Sequence, residues 1–317
     1  MIHKELLKQL GLHKDASVSD WIRIKRNRLF RFVNTLVGTI TKRETYTCNH
    51  TTNLPGQKLL DEATMVSSND LANSAHVNSG TTHDYVATIL NRDSVDNKGM
   101  TLTSSVNYDV NYNNAFWNGS QMVYGDGDGK FFSGFSKDLS VIAHEFSHGI
   151  TQTTCGLWYY GQSGALNEAF SDISGIACRH WYEQDKDPKT ANWLIGDKCL
   201  GTSFPGKAIR SFKDEKAYDG DNQPKNFKKL LVGTQDNGNV HGNSGPKNHC
   251  FYVLCLKLNE PSYGKPIQIV WEGHKTLKPW SNFKAAAKAE YKAALKLYGQ
   301  EVATVVKEAY HECGLDF

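Results

Sequence analysis

The spacing of hydrophobic positions changes along the chain and divides it into regions. In residues 1–43, apolar side chains recur at helical intervals, which predicts a short helix over Lys4–Leu10 and a longer one from about Ser19 to Val37. From Glu44 to about Ser136, short alternating runs such as TLTSSVNY are broken by Gly, Asn and Asp. This second pattern is typical of short strands joined by long loops.

Helical periodicity dominates after Lys137. One helix is predicted from about Asp138 to Thr153 and another from about Ser163 to Tyr182. After a polar loop region, the remaining predicted helices lie at 247–259, 265–276, 281–297 and 299–312.

A strand-rich part followed by a helical part predicts an α+β, two-lobed fold. We divide the chain into a basic helical segment at 1–43, a strand-rich lobe at 44–137 and a helical lobe at 138–317. The length of 317 residues and the composition, 39% hydrophobic and 22% charged, are ordinary for a soluble globular protein of about two domains. We expect a monomer.

The sequence gives little information on the compartment. We expect no transmembrane helix, because no apolar run approaches ~18 residues. Scattered charges at the N-terminus argue against a Sec signal, so the protein stays in the cell, leaves by a leaderless route, or has been separated from its leader. The seven cysteines show no paired zinc-knuckle spacing, and scattered buried thiols are favoured over a disulfide framework.

The segment Val-Ile-Ala-His144-Glu145-Phe-Ser-His148-Gly lies inside the first long predicted helix after Lys137. Histidines four residues apart on a helix project from the same face, so both imidazoles can reach one zinc ion at ~2.0–2.1 Å. Glu145 comes one residue after His144, where a general base for a metal-activated water is expected. Alone, this motif is only moderately specific, because a surface helix can carry it by chance.

The next predicted helix strengthens the metal hypothesis. It contains Ser-Gly-Ala-Leu-Asn-Glu168-Ala-Phe-Ser-Asp172, and the preceding loop is long enough to bring it back alongside the first helix. Glu168 can then supply a third ligand and leave a fourth position open, as in catalytic zinc sites. Asp172 lies one turn further on, where it can accept the second ring N–H of a ligand histidine. For Asp172 alone, a capping or surface role is the alternative.

Three motifs in order give a resemblance to a known family. HEFSHGITQTTCGLWYYGQSGALNEAFSD resembles the zinc segment of the thermolysin family, including the twenty-residue step from His148 to Glu168. Upstream, YNNAFWNGSQMVYGDGDG is similar to the family's substrate-binding edge strand, and downstream GTQDNGNVHGNSG is similar to its second histidine motif. The similarity covers roughly Arg43 to Phe317. Within the family, the chain most resembles the protealysin-like members, which have a short propeptide.

The resemblance implies roles at matching positions. Tyr159 and His241 would donate hydrogen bonds to the oxyanion that forms on the substrate, and Asp236 would orient His241. Other residues would bind the substrate's main chain, which adds to the edge strand as a further strand: Asn114, the backbone of Ala115, Trp117 and Arg210. For each residue taken alone, the alternative is that Tyr159 is an aromatic that packs in the core and that His241 is a histidine in a loop.

The resemblance also implies a specificity pocket made of apolar residues, namely Phe132, Phe135, Val141, Ile195 and Ile209. Such a pocket favours a bulky hydrophobic residue just after the scissile bond. The alternative is that these are ordinary core residues, and some can be both.

The implied activity is that of an endopeptidase with one catalytic zinc ion, acting on protein or peptide substrates and not on nucleic acid. A zinc aminopeptidase is a second possibility, but it needs an acidic anchor for the free amine, and no such motif precedes His144. A third is an inactive zinc fold that binds nucleic acid or an anionic membrane through residues 19–43. Retention of Glu145, Tyr159, Asp236 and His241 favours catalysis.

The chain departs from the family where thermolysin binds calcium through clustered carboxylates. The matching positions hold Ser140, Arg179 and Leu194, and only Asp197 remains acidic. Lys207 stands where another site needs an acidic residue. We therefore expect no calcium at the usual sites and an Arg179–Asp197 ion pair in place of the ion.

The basic segment at 1–43 carries ten Lys/Arg and three acidic residues, for a net charge of +7, whereas the rest of the chain carries −4. Its separate composition and its position before the resembling region suggest a short propeptide that covers the cleft. An anchor for an acidic partner is the alternative.

Overall fold

The computed structural model describes residues 42–221 and 223–317, so the two helices predicted between Lys4 and Val37 lie outside the described residues. The strands are β1 (Arg43–Thr47), β2 (Gln57–Leu60), β3 (Leu102–Val106), β4 (Ala115–Trp117), β5 (Met122–Tyr124), β6 (Leu194–Ile195) and β7 (Arg210–Ser211). The α-helices are α1 (Asp70–Ile89), α2 (Leu139–Thr154), α3 (Gly161–Glu183), α4 (Gln235–Asn243), α5 (Gly245–Leu258), α6 (Lys265–His274) and α7 (Phe283–Glu312).

Five strands form a mixed sheet in the order β2-β1-β3-β5-β4. β1, β3 and β5 are parallel, and each outer strand runs antiparallel to its neighbour. β4 lies at one edge and pairs with β5 from Ala115↔Tyr124 to Trp117↔Met122. The substrate-binding segment predicted from the sequence therefore forms an edge strand with one side unpaired within this sheet.

The α+β prediction is confirmed, because this sheet precedes a part of the chain that is mainly helical. The helices predicted around the metal motif and at 247–259 and 265–276 correspond to α2, α3, α5 and α6. The two helices predicted at 281–297 and 299–312 form α7, which is interrupted at Gly299, where φ is 85°. The loop region after α3 also contains α4, in which Asp236–Asn239 have left-handed rather than helical backbone angles.

Helix α1 is absent from the sequence prediction, which gives strands and loops for residues 44–136. Its buried face consists mostly of small and polar residues such as Ala72, Ser79 and Thr82, so apolar side chains do not mark a helical period. The sequence feature that marks this helix is the capping residue at its N-terminus. Asn69 caps the first turn by accepting a hydrogen bond from the backbone N–H of Ala72 at 3.0 Å.

The hydrophobic core has two parts. One lies between the main sheet and helices α1, α2 and α3, and the other lies among the C-terminal helices. Helices α2 and α3 pack extensively against each other, which holds the two halves of the metal motif side by side. All seven cysteines are buried and free, in agreement with the sequence analysis. None of the described helices is long and apolar enough to cross a membrane.

Candidate active site

The metal motif lies in the interior of α2. Asp138 caps this helix and accepts a hydrogen bond from the backbone N–H of Ser140 at 2.8 Å. His144 and His148 follow one turn apart and project toward α3, which carries Glu168. His144 and Glu168 are buried, and the side chain of His148 is nearly so.

The three side chains bring their ligand atoms together. The Nε2 atoms of His144 and His148 are 3.0 Å apart. The Glu168 carboxylate lies 3.5 Å from both, with Oε2 facing His144 and Oε1 facing His148. One ligand atom from each residue lies within 4.8 Å of the others, so the three can coordinate a single ion.

The contacts behind the imidazoles indicate which nitrogens face the site. His144 Nδ1 is 2.8 Å from Asp172 Oδ1, and His148 Nδ1 is 2.8 Å from Asn167 Oδ1. Oxygen acceptors at these distances favour a proton on each Nδ1, which leaves a lone pair on each Nε2.

Two lone pairs that face each other at 3.0 Å repel unless a cation lies between them. In addition, Glu168 Oε2 is buried and has no hydrogen-bond partner among the described residues. Two neutral imidazoles and one ionised carboxylate are the donor set of a catalytic zinc site, so the residues present fit this metal.

Asp172 connects the metal site to the surrounding structure. Its Oδ1 atom also accepts from Arg210 Nη2 at 2.6 Å, and its Oδ2 accepts from Asn248 Nδ2 at 2.8 Å. Burial alone would raise the pKa of Asp172, but the charge of Arg210 and the contacts with Arg210 and His144 hold it well below its usual range. The carboxylate therefore stays ionised and fixes the orientation of the His144 ring.

The Glu168 carboxylate is also held in its charged form. Burial raises its pKa, whereas the electrostatic influence of His148, His241, His144 and Arg210 lowers it, to about 2. Of these neighbours, Arg210 carries a permanent positive charge. A carboxylate that is ionised across the neutral range is the form that binds a metal.

Tyr159 and His241 lie next to the metal site. The Tyr159 hydroxyl donates to Glu168 Oε1 and lies 3.2 Å from His241 Nε2. Burial and the Glu168 charge raise the pKa of Tyr159 far above its usual value, so the hydroxyl stays protonated and can donate. His241 Nδ1 lies 2.7 Å from Asp236 Oδ1, and the His241 backbone N–H donates to Asp236 Oδ2 at 3.0 Å.

These groups open onto a cavity of about 580 Å³. The predicted site residues that line it are Asn114, Ala115, Trp117, Phe135, Val141, His144, Glu145, His148, Tyr159, Glu168, Ile195, Ile209, Arg210 and His241. Phe132 is not among the described lining residues and instead packs against Phe135, with 5.0 Å between ring centroids. Four of the five predicted pocket residues therefore reach the cavity.

Several contacts were missed by the sequence analysis. Asn167 and Ser171, one turn apart on α3, both approach His148 Nδ1, at 2.8 and 3.1 Å. Asn167 and Ser171 are four residues apart, so the sequence could have indicated that both lie on one face of α3. Asn248, which holds Asp172, is 76 residues away along the chain, and a lone asparagine gives no such signal.

A second charged cluster joins the same two helices. Arg179 on α3 is 1% exposed, and its Nη2 lies 3.0 Å from Asp138 Oδ1 and 2.7 Å from Asp197 Oδ1. It also donates to Ser140 Oγ at 2.9 Å and, through Nη1, to the Leu194 carbonyl at 2.8 Å. The expected Arg179–Asp197 pair is present, and Asp138 is a further partner that the sequence analysis did not include.

Two histidines one turn apart, a carboxylate on the adjacent helix and a buried glutamate facing the same cleft define a metallopeptidase site. Family models agree. Residues 25–152 match the thermolysin metallopeptidase catalytic domain and residues 155–315 match the α-helical domain of the same family. The chain belongs to the thermolysin family of metallopeptidases.

Similar proteins include an extracellular metalloprotease of Pectobacterium carotovorum, 38% identical over 83% of this chain and 78% of that protein. Protease PrtS of Photorhabdus is 36% identical over 86% of this chain and 76% of its own length. A bacillolysin of Brevibacillus brevis is 39% identical over 86% of this chain, which spans about half of that longer relative (51%).

A solved structure, the precursor of protealysin, a metalloproteinase from Serratia proteamaculans, matches with a TM-score of 0.84. It is 35% identical in sequence, and the match covers 88% of each chain. The thermolysin-like fold expected from the sequence resemblance is thereby confirmed.

Proposed function

We propose that this chain is a zinc-dependent endopeptidase that cleaves peptide bonds on the N-terminal side of bulky hydrophobic residues. The observation that carries the proposal is the metal site itself, with two Nε2 atoms facing each other at 3.0 Å and a buried carboxylate oxygen that has no partner among the described residues. Such an arrangement is costly without a cation. The remaining groups around the cavity are those that peptide hydrolysis needs.

Zinc at this site would lower the pKa of a water molecule and polarise the substrate carbonyl. Glu145 is buried and lines the same cavity, so it can take a proton from the attacking water and pass it to the leaving amine. This role requires that Glu145 is ionised before the attack and protonated after it.

Tyr159 and His241 stabilise the charge that develops on the carbonyl oxygen. Tyr159 is a neutral donor, as its raised pKa requires. Asp236 Oδ1 lies 2.7 Å from Nδ1 of His241 and orients the ring, so that Nε2 faces the site and can donate to the oxyanion when both ring nitrogens carry protons. Fixed donors of this type act where the negative charge appears.

The substrate's position follows from β4 and the cavity walls. An extended peptide that pairs with the open edge of β4 runs across the site, with Asn114 and Arg210 available to bind its main chain. Phe135, Val141, Ile195 and Ile209 form an apolar wall that suits a large hydrophobic side chain. A peptide that continues in both directions along an edge strand is cleaved at internal bonds.

The test is to incubate the purified chain with a mixed peptide library, with and without a zinc chelator, and to identify the products by mass spectrometry. We expect cleavage before residues such as Leu, Ile and Phe, loss of activity with the chelator and recovery on adding zinc. Stepwise removal of N-terminal residues would instead indicate an aminopeptidase. A zinc-loaded chain with no cleavage would indicate a binding protein.

The basic segment remains a proposed inhibitory propeptide. β1 begins at Arg43, which is buried and pairs with Glu62 at 2.7 Å, so a cut that spares the fold falls before this residue. Adding the segment as a free peptide to a shortened active enzyme should inhibit hydrolysis. Lack of inhibition at high peptide concentration would favour the anchor alternative.

A further inference from the structure

One exposed face of α7 carries a row of lysines. Lys284, Lys288, Lys292 and Lys296 recur every four residues, and all four are exposed. The row extends over about 18 Å, because each helical residue rises ~1.5 Å. The opposite face, which includes Ala286, Ala287, Ala293 and Ala294, packs into the core, so the lysines point away from the protein.

These lysines lack compensating charge in the described part of the chain. None of the four forms an ion pair within residues 42–221 and 223–317, although many other lysines of the fold do. The acidic residue within the row, Glu290, is buried and pairs with Lys247 at 2.8 Å. Like charges four residues apart destabilise a helix, so folding alone gives no reason for this arrangement.

Exposed apolar side chains flank the row in the sequence. Trp280 comes four residues before Lys284, is 65% exposed and packs against Trp158, which is 60% exposed, with 5.9 Å between ring centroids. At the other end of the row, Leu295 and Leu297 are both exposed on either side of Lys296. Unpaired cations beside exposed tryptophan and leucine resemble the surface of a protein that lies on a membrane.

We propose that this surface, which we call the lysine face and define as Lys284, Lys288, Lys292, Lys296, Trp280 and Trp158, binds an anionic phospholipid membrane. The lysines contact lipid phosphates and carboxylates, and the tryptophans enter the headgroup region.

Two features favour lipid over other anionic partners. A nucleic-acid site is enriched in arginine, which pairs with phosphates through two parallel hydrogen bonds, but residues 265–317 contain no arginine. The basic segment at 1–43 has a net charge of +7, the same sign as the lysine face, so it offers no charge complementarity to this face. The binding does not depend on peptidase activity. Membrane binding would hold the enzyme at an anionic surface. Trp158 of the lysine face directly precedes Tyr159 of the active site in the sequence.

The test measures sedimentation of the full chain with vesicles of phosphatidylserine and phosphatidylcholine in equal parts, and with phosphatidylcholine alone. We expect binding to the anionic vesicles only, weakened as NaCl rises from ~0.1 to ~0.5 M. Replacing the four lysines of the row by glutamine should weaken binding roughly 100-fold or more, given about fivefold per lysine. A matched variant with glutamine at four other exposed lysines (Lys98, Lys186, Lys216 and Lys228) should bind almost as well as the unmodified chain.

Tryptophan fluorescence gives an independent readout. The emission should shift to shorter wavelength on anionic vesicles, and this shift should shrink in Trp280→Phe. Unchanged peptide hydrolysis by the lysine variant shows that it is folded. The proposal would be overturned if both lysine variants bound vesicles equally, or if the unmodified chain did not bind vesicles. It would also be overturned if this face bound a single-stranded oligonucleotide or a second copy of the chain but no vesicles.

Discussion

Helices α2 and α3 are joined by two buried charged clusters that differ in how their charges are balanced. The metal cluster comprises His144, His148 and Glu168, and the arginine cluster comprises Asp138, Arg179 and Asp197. In the arginine cluster the guanidinium contacts both carboxylates, a hydroxyl and a carbonyl. In the metal cluster two imidazole Nε2 atoms lie 3.0 Å apart, and one carboxylate oxygen has no partner among the described residues.

The difference indicates which cluster would take up an ion from solution. Arg179 supplies a permanent cation within the fold, and its pKa is raised further by Asp138 and Asp197 despite the opposing effect of burial. His144, His148 and Glu168 include no permanent cation, and under the proposed function a bound metal would balance this cluster. Removing a partner from the arginine cluster should therefore affect stability. Removing a residue from the metal cluster should instead affect metal content and activity.

The largest effect is expected for Glu168→Ala. Loss of the third ligand should abolish stable zinc binding and, with it, peptide hydrolysis. Zinc per chain by elemental analysis and the rate on a peptide substrate are the two measurements. Glu183→Ala, which changes an exposed glutamate on the same helix, is the matched control and should retain both. Retention of full zinc content by Glu168→Ala would exclude Glu168 as a ligand.

Arg179→Ala tests the arginine cluster. It leaves two buried or half-buried carboxylates without their cation, which should cost about 3–5 kcal/mol of the free energy of unfolding. Urea denaturation measures this loss. Lys207→Ala is the control, because the Lys207–Asp214 pair has a similar distance, 2.8 Å, but is exposed, and its loss should cost at most ~1 kcal/mol. Equal losses in the two variants would contradict the distinction drawn between the clusters.

His241→Ala should reduce catalysis without affecting the metal. A donor that acts on the developing oxyanion contributes ~2.7–4 kcal/mol, so kcat should fall by ~10²–10³ while KM changes much less. His311 is a suitable control, since it is also exposed and lies 2.6 Å from an aspartate, Asp316, but is not among the residues that line the cavity. An effect of His241→Ala on KM alone would make His241 a ground-state binding residue.

The smallest effect is expected from calcium. If Arg179 replaces the ion, melting the protein in millimolar calcium and in a calcium-selective chelator should give Tm values within about 2 °C, or less than ~1 kcal/mol. Zinc content must be checked in both samples, because zinc loss also lowers Tm. A large rise of Tm with calcium would show that a calcium site persists elsewhere in the fold.

The metal site was predictable because its information is local. His144 and His148 lie one helical turn apart, and Asp172 is one turn beyond Glu168, so helix geometry alone places the groups on shared faces. The partner of Arg179 was predictable only in part. Asp197 was identified through the resemblance to a family, but Asp138 was interpreted simply as the start of a helix.

The rest depends on tertiary packing that leaves no periodic signal. Helix α1 escaped prediction because it buries Ala, Ser and Thr where a periodic helix usually buries Leu or Ile. Phe132 belongs to an aromatic cluster beside the cavity, and its sequence position does not distinguish it from Phe135. Asn248 reaches Asp172 from α5, and the packing of α5 against α3 is not encoded near either residue.

The most direct test of the central claim is Glu145→Ala, measured for zinc content and for peptide hydrolysis on the same sample. Glu145 is assigned proton transfer and no part in coordination. We therefore expect one zinc per chain, as in the unmodified protein, and a rate lower by about 10²–10⁴-fold. A zinc-loaded variant that hydrolyses peptides at nearly the original rate would contradict the mechanism, and a variant that has lost its zinc would contradict the assignment of the ligands.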